Sequence, residues 1–153
     1  MKPLDKRKRS NILSIILLFA YLGFISYFGF LSKLAGRKQL HEGRYNLVPF
    51  YSIHQYFTAS GSSGAISFII NILGNLIVFM PVGIFVSYFS KNTVGAKRLF
   101  LVTMIGLAFS FCVESIQFIF SVGVFDVDDL ILNTIGAVLG FLIYMTYQSA
   151  HTR

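Results

Sequence analysis

Four apolar runs, each close to the length a helix needs to cross a bilayer, constrain this chain more than any other feature. They are Asn11–Leu31, Ile66–Phe89, Leu99–Phe120 and Leu130–Tyr147. At about 1.5 Å of rise per residue, roughly 20 apolar residues span the hydrocarbon core. Glu114 is the single Asp, Glu, Lys or Arg within the four runs. Hydrocarbon offers the backbone no hydrogen-bond partner, so each run must satisfy its own peptide groups as a helix. Composition agrees, with 55% hydrophobic and 12% charged residues, against about 25% charged in a soluble domain. The expected fold is therefore an all-α membrane protein of four transmembrane helices.

Lys6-Arg7-Lys8-Arg9 precedes the first run in the manner of a signal peptide. The run exceeds the usual apolar region of such a peptide, about 7–15 residues, and no clean cleavage site follows. It reads as an uncleaved anchor. If the N-terminus is cytoplasmic, nine Lys and Arg fall on cytoplasmic segments and four on the other side. That bias predicts an N-in, C-in topology. Residues 1–10 are then a basic cytoplasmic terminus, 11–147 the transmembrane domain and 148–153 a cytoplasmic tail. Residues 32–65 form an extracytoplasmic loop between the first two helices. Within it, Ser60–Gly64 reads as a flexible tether. Tyr45, Phe50, Tyr51, Tyr56 and Phe57 suit either an interfacial aromatic belt or a cap on the bundle. The net charge of +7 flanks the runs instead of forming a basic face, so no nucleic-acid partner is expected. Membrane lipids are. The lone cysteine, Cys112, excludes an intrachain disulfide and reads as a small apolar residue. His41, His54 and His151 read as surface residues. No nucleophile–base pair, phosphate loop or nucleotide fingerprint is present.

Topology assigns a depth to every polar residue. Asn71 and Asn75 fall early in the second helix, Glu114 and Gln117 late in the third, and Asn133 early in the fourth. All five then lie within about 15 Å of the outer boundary. Asn71 and Asn75 share one face. Thr103, Gly106, Ser110, Glu114, Gln117 and Ser121 form a stripe on the third helix, and Asp129, Asn133, Gly136 and Gly140 one on the fourth. The simplest arrangement turns the three stripes toward a polar cavity that opens outward. Gly136 and Gly140 are a small-xxx-small pair, predicting close approach of the third and fourth helices. Pro81 and Gly83 predict a kink or a packing point in the second.

The amides serve either as interhelical glue, worth about 0.6 kcal/mol per bond, or as ligand contacts. Glu114 is different, because an acid deep in a span costs roughly 2.5–3.5 kcal/mol. That expense suggests ligand contact, proton exchange or cation coordination. Asp126, Asp128 and Asp129 are either a solvated acidic loop or, with Glu114, oxygen ligands for a divalent cation. No catalytic residue is assigned, although Glu114 is the candidate acid or base. No other cofactor is expected, and oligomeric state is not legible.

Taken together, these residues resemble the VanZ-like family. The resemblance rests on Asn46-Leu47-Val48-Pro49-Phe50, on Asn71, Gly74, Asn75, Phe79, Pro81 and Gly83, and on Glu114 with Gln117. It extends through Phe125-Asp126, Asp128-Asp129-Leu130, Asn133 and Gly136, in order over about residues 46–145. The family takes its name from a membrane protein associated with low-level resistance to teicoplanin, a lipoglycopeptide acting at the outer face of bacterial membranes. The resemblance implies a multi-pass protein of the bacterial plasma membrane and a role in envelope-antibiotic resistance, but no reaction. By motif position it implies that Asn46, Asn71, Asn75, Glu114, Gln117, Asp126, Asp128, Asp129 and Asn133 are the family's polar signature. Members often carry Arg where this chain has Val124, a departure that weakens an anionic-ligand site. Three functions remain open: binding or shielding of a lipid-linked envelope precursor or lipoglycopeptide, acid/base chemistry on a lipid headgroup through Glu114, and cation- or proton-coupled transport.

Overall fold

The computed structural model describes residues 45–58, 62–121 and 123–151, with backbone only at 62–65 and 67, and seven single positions between Ile12 and Phe24. The first apolar run, Asn11–Leu31, thus lies largely outside the described residues, as do the tether before Ser62, His41 and the N-terminus.

Among the described residues, three helices are long and apolar enough to cross a membrane. They are α2 (Ser62–Phe89), α3 (Gly95–Ile119) and α4 (Val127–His151), and they coincide with the second, third and fourth runs. A short helix, α1 (Tyr51–Thr58), precedes them. Two features depart from the reading above. Helix α2 begins at Ser62, so Ser62–Gly64 form its first turn and not a tether. The apolar run behind them propagates the helix backwards, since extension costs far less than nucleation. Two short strands also appear, β1 (Tyr45–Asn46) and β2 (Phe125–Asp126), paired in parallel with Asn46 opposite Asp126.

Helix α4 is central. It packs chiefly against α2 and secondarily against α3. Its apolar window is 39% buried within the protein, against 22% for each of the others. The remaining apolar rows, such as Ile69, Leu73 and Ile77 on α2, are exposed, as suits hydrocarbon and not water. Cys112 belongs to such an exposed row on α3.

Glycines set the α2–α4 distance. A Cβ on Gly83 would collide with the Ala137 carbonyl, one on Gly136 with that of Leu76, and one on Gly140 with that of Met80. The Gly136–Gly140 pair therefore admits the second helix, not the third as its spacing had suggested. Spacing reveals that a face is small but not which neighbour occupies it. Helix α3 meets α4 through Gly106, where a Cβ would stand 2.8 Å from the Ala137 Cβ. Above and below, Val102, Ala137 and Phe141 close the apolar core, with Val86 and Met145 against them.

Candidate functional site

The start of α4 meets the end of α3 and the 45–58 segment at one end of the bundle, termed here the aspartate end. Asp126 N-caps α4: its Oδ1 accepts the Asp128 N–H at 2.9 Å, satisfying one of the donors every helix start leaves open. The same oxygen accepts from the Asn46 amide at 3.1 Å, and its Oδ2 accepts the Ser52 hydroxyl. Asn46 also donates to Ser52 Oγ at 3.0 Å, while its own Oδ1 accepts the Val48 N–H at 3.1 Å and turns the chain toward α1.

Asp128, fully buried, does for α1 what Asp126 does for α4. Its carboxylate accepts the N–H of Phe50 and that of Ile53, the latter at 3.1 Å. These are the two donors that a capping box satisfies from within its own helix. Here one residue, 78 positions from Phe50 and 75 from Ile53, satisfies both. The bond holds Phe50 at φ 64°, in the left-handed region that a bulky side chain rarely adopts. Sequence reasoning left the loop acids as either a solvated face or cation ligands; Asp126 and Asp128 are buried and accept backbone N–H groups as caps and fasteners. Among the described residues, no three His, Cys, Asp or Glu side chains gather as a metal-holding group.

The other proposed residues form the layer beneath. Glu114 is 3% exposed, at the end of a stripe that runs Arg98, Val102, Gly106, Ser110, Glu114 at four-residue steps. Its Oε2 accepts the Asp126 N–H at 3.4 Å, near the outer limit for such a bond. Asp129 Oδ1 accepts from the Asn75 amide, joining α4 to α2. One turn deeper, the Asn133 amide donates to Ser110 Oγ at 2.9 Å, joining α4 to α3. The Asn133 carbonyl oxygen is buried and meets no donor among the described residues. Asn71 is buried one turn from Asn75, and Gln117 is half-buried. Polar side chains of the three helices are thus linked by hydrogen bonds over two successive turns at this end. A cavity of about 390 Å³ lies toward the other end, between α2 and α3. Its walls, Val82, Phe85, Phe89, Leu101, Ile105 and Phe109 among them, are apolar.

Two residues with central positions went unread in the sequence. Ser52 carried no signal beyond its place in an aromatic stretch. Arg98 was counted only as a topological charge, yet it is 5% exposed at the opposite end. Its guanidinium donates to the Lys91 carbonyl at 2.7 Å, the Thr93 carbonyl at 3.0 Å and Gln148 Oε1 at 3.1 Å. Its place in the four-residue stripe was the available clue.

Apolar helices long enough to cross a membrane, joined by buried acids and amides at one end of the bundle, define the class as a helical membrane protein. The chain belongs to the VanZ/LLP1 family, whose model matches residues 12–148. It is 31% identical over 111 residues to "Protein VanZ" of Enterococcus faecium, a match covering 69% of this chain. The match spans 63% of the relative's own length. No solved structure matches.

Proposed function

We propose that the protein is a four-span membrane protein of the bacterial plasma membrane, with both termini cytoplasmic and the aspartate end outward. In that orientation its polar layer binds or shields an envelope lipid precursor or a lipoglycopeptide and so contributes to resistance to teicoplanin-type antibiotics. The observation that carries the reading is the buried Glu114 carboxyl within an apolar span. The bond it makes to the Asp126 N–H, and the one Asp129 makes to Asn75, would be made equally well by an amide oxygen. Retaining an ionisable group at Glu114, where an acid deep in a span costs roughly 2.5–3.5 kcal/mol, favours a task beyond holding helices together. The Asn133 carbonyl, unmet among the described residues, supplies an acceptor for a ligand hydroxyl, amine or amide, since buried polar atoms rarely go without a partner.

The direct test is teicoplanin susceptibility of a susceptible host with and without the protein, paired with untargeted lipidomics. The reading predicts reduced susceptibility and an unchanged lipid profile. Equal susceptibility would contradict it, and a new lipid species would replace it with enzymatic modification of a headgroup.

A further inference from the structure

We propose that residues 45–58 form an interfacial element, fastened to the bundle by its polar side and seated by its aromatic side among the headgroups and upper acyl chains of the leaflet at the aspartate end. The inference is independent of the antibiotic reading. It commits to lipid as the occupant of this surface, on three observations.

The segment contains no Asp, Glu, Lys or Arg. Its polarity is also largely inverted relative to a water-facing segment, with His54 and Thr58 its exposed polar residues. Asn46 and Ser52 are turned inward and buried, whereas Leu47, Val48, Phe50 and Phe57 are 61–74% exposed. Large apolar side chains exposed this densely along a short segment mark an interaction site. Tyr45 and Tyr51, also exposed, are of the amphipathic type enriched at headgroup level. Finally, the patch continues the apolar flank of a span. The Phe57 ring meets that of Phe68 on α2 edge-on, with centroids 5.7 Å apart. Exposed Ile66, Ile69 and Ile70 follow along the same helix.

The fastening explains how so short a segment can sit there. At eight residues, α1 is far below the roughly 20 needed to span. Its open N-terminal donors would be costly near hydrocarbon, but Asp128 accepts two of them. What remains is a short helix lying in the plane of the interface.

The chain has no tryptophan, so single Trp substitutions report depth without background. The full-length Leu47→Trp and Phe57→Trp variants would be reconstituted in phosphatidylcholine vesicles brominated at shallow or deep acyl positions. Ile77→Trp, at an exposed mid-span position of α2, serves as the deep reference. Leu47→Trp and Phe57→Trp should show blue-shifted emission, strongest quenching by shallow bromines and little by aqueous iodide. Ile77→Trp should be quenched most by deep bromines. Emission typical of water with efficient iodide quenching at Leu47→Trp and Phe57→Trp would overturn the proposal. So would protection from both quenchers, which would mean that protein covers the patch.

Discussion

The two ends of the bundle solve the same problem with opposite charges. At the aspartate end, a segment must be held whose helix start presents N–H groups, and buried carboxylates accept them: Asp128 from Phe50 and Ile53, Asp126 from the start of α4. At the opposite end, the turn after α2 presents carbonyls, and the buried Arg98 guanidinium donates to those of Lys91 and Thr93. Each charge has the sign that the unsatisfied backbone groups of a helix end require. The ends differ in what is left over. The contacts of Arg98 all tie a loop or a helix terminus in place, whereas the aspartate end holds two further carboxylates, Glu114 and Asp129, that join spans and the α3–α4 connection instead of capping a helix.

Severing the connection between the ends should have the largest effect. Helix α4 carries Asp128 at one end and Gln148 at the other, and its glycines seat it on α2. Gly140→Leu drives a side chain into the Met80 backbone and should cost about 3 kcal/mol or more, seen as loss of monodisperse protein in detergent. Leu139→Ile, one residue away and facing less constrained space, should leave the yield unchanged.

Next in size is the arginine end. Arg98→Ala strips the Lys91 and Thr93 carbonyls of their buried donor and should destabilise by roughly 3 kcal/mol in thermal unfolding. Arg98→Lys should recover only part, since one ammonium cannot reproduce the planar fork. The counterpart at the other end is Asp128→Asn. Its amide keeps one acceptor but aims N–H groups at a backbone donor, for a loss of roughly 2 kcal/mol. The distinguishing readout is local: chymotrypsin should cut at Tyr51, Tyr56 or Phe57 in Asp128→Asn and not in Arg98→Lys. Equal protease resistance would mean that the segment is held by something other than Asp128. The smallest effect belongs to Gly74→Ala on α2, where a Cβ meets open space. Stability should stay within about 0.5 kcal/mol of the parent.

What could be read from the sequence divides along the same lines. Hydrophobic runs and helical spacing depend only on neighbours in the chain, so the three described spans and the Gly106–Ser110–Glu114 stripe were legible. Partnerships between distant segments were not. The 45–58 segment owes its shape to Asp126 and Asp128, and the Asn46–Asp126 bond closes a gap of 80 residues, so nothing local predicted α1's cap or the β1–β2 pairing. Asp126 and Asp128 illustrate the ambiguity: clustered acids look alike in sequence whether they face solvent, a cation or the N–H groups of a distant helix start, and the N–H groups that these two accept come from α1 and α4. Gly136 and Gly140 are a milder case, with the small face correctly read and its neighbour misassigned.

The central claim is that Glu114 and Asp129 act as a functional unit distinct from the fasteners Asp126 and Asp128. The most direct measurement is teicoplanin susceptibility at matched protein levels for Glu114→Gln, Asp129→Asn and the double variant, with thermal stability recorded in parallel. Both changes keep the acceptor oxygen and remove the ionisable group. Each single variant should retain parental stability within about 0.5 kcal/mol yet lose most of the protection, and the double should add little, because members of one unit are not additive. Full protection by Glu114→Gln, or a loss that tracks falling stability, would contradict the claim and make Glu114 one more structural residue.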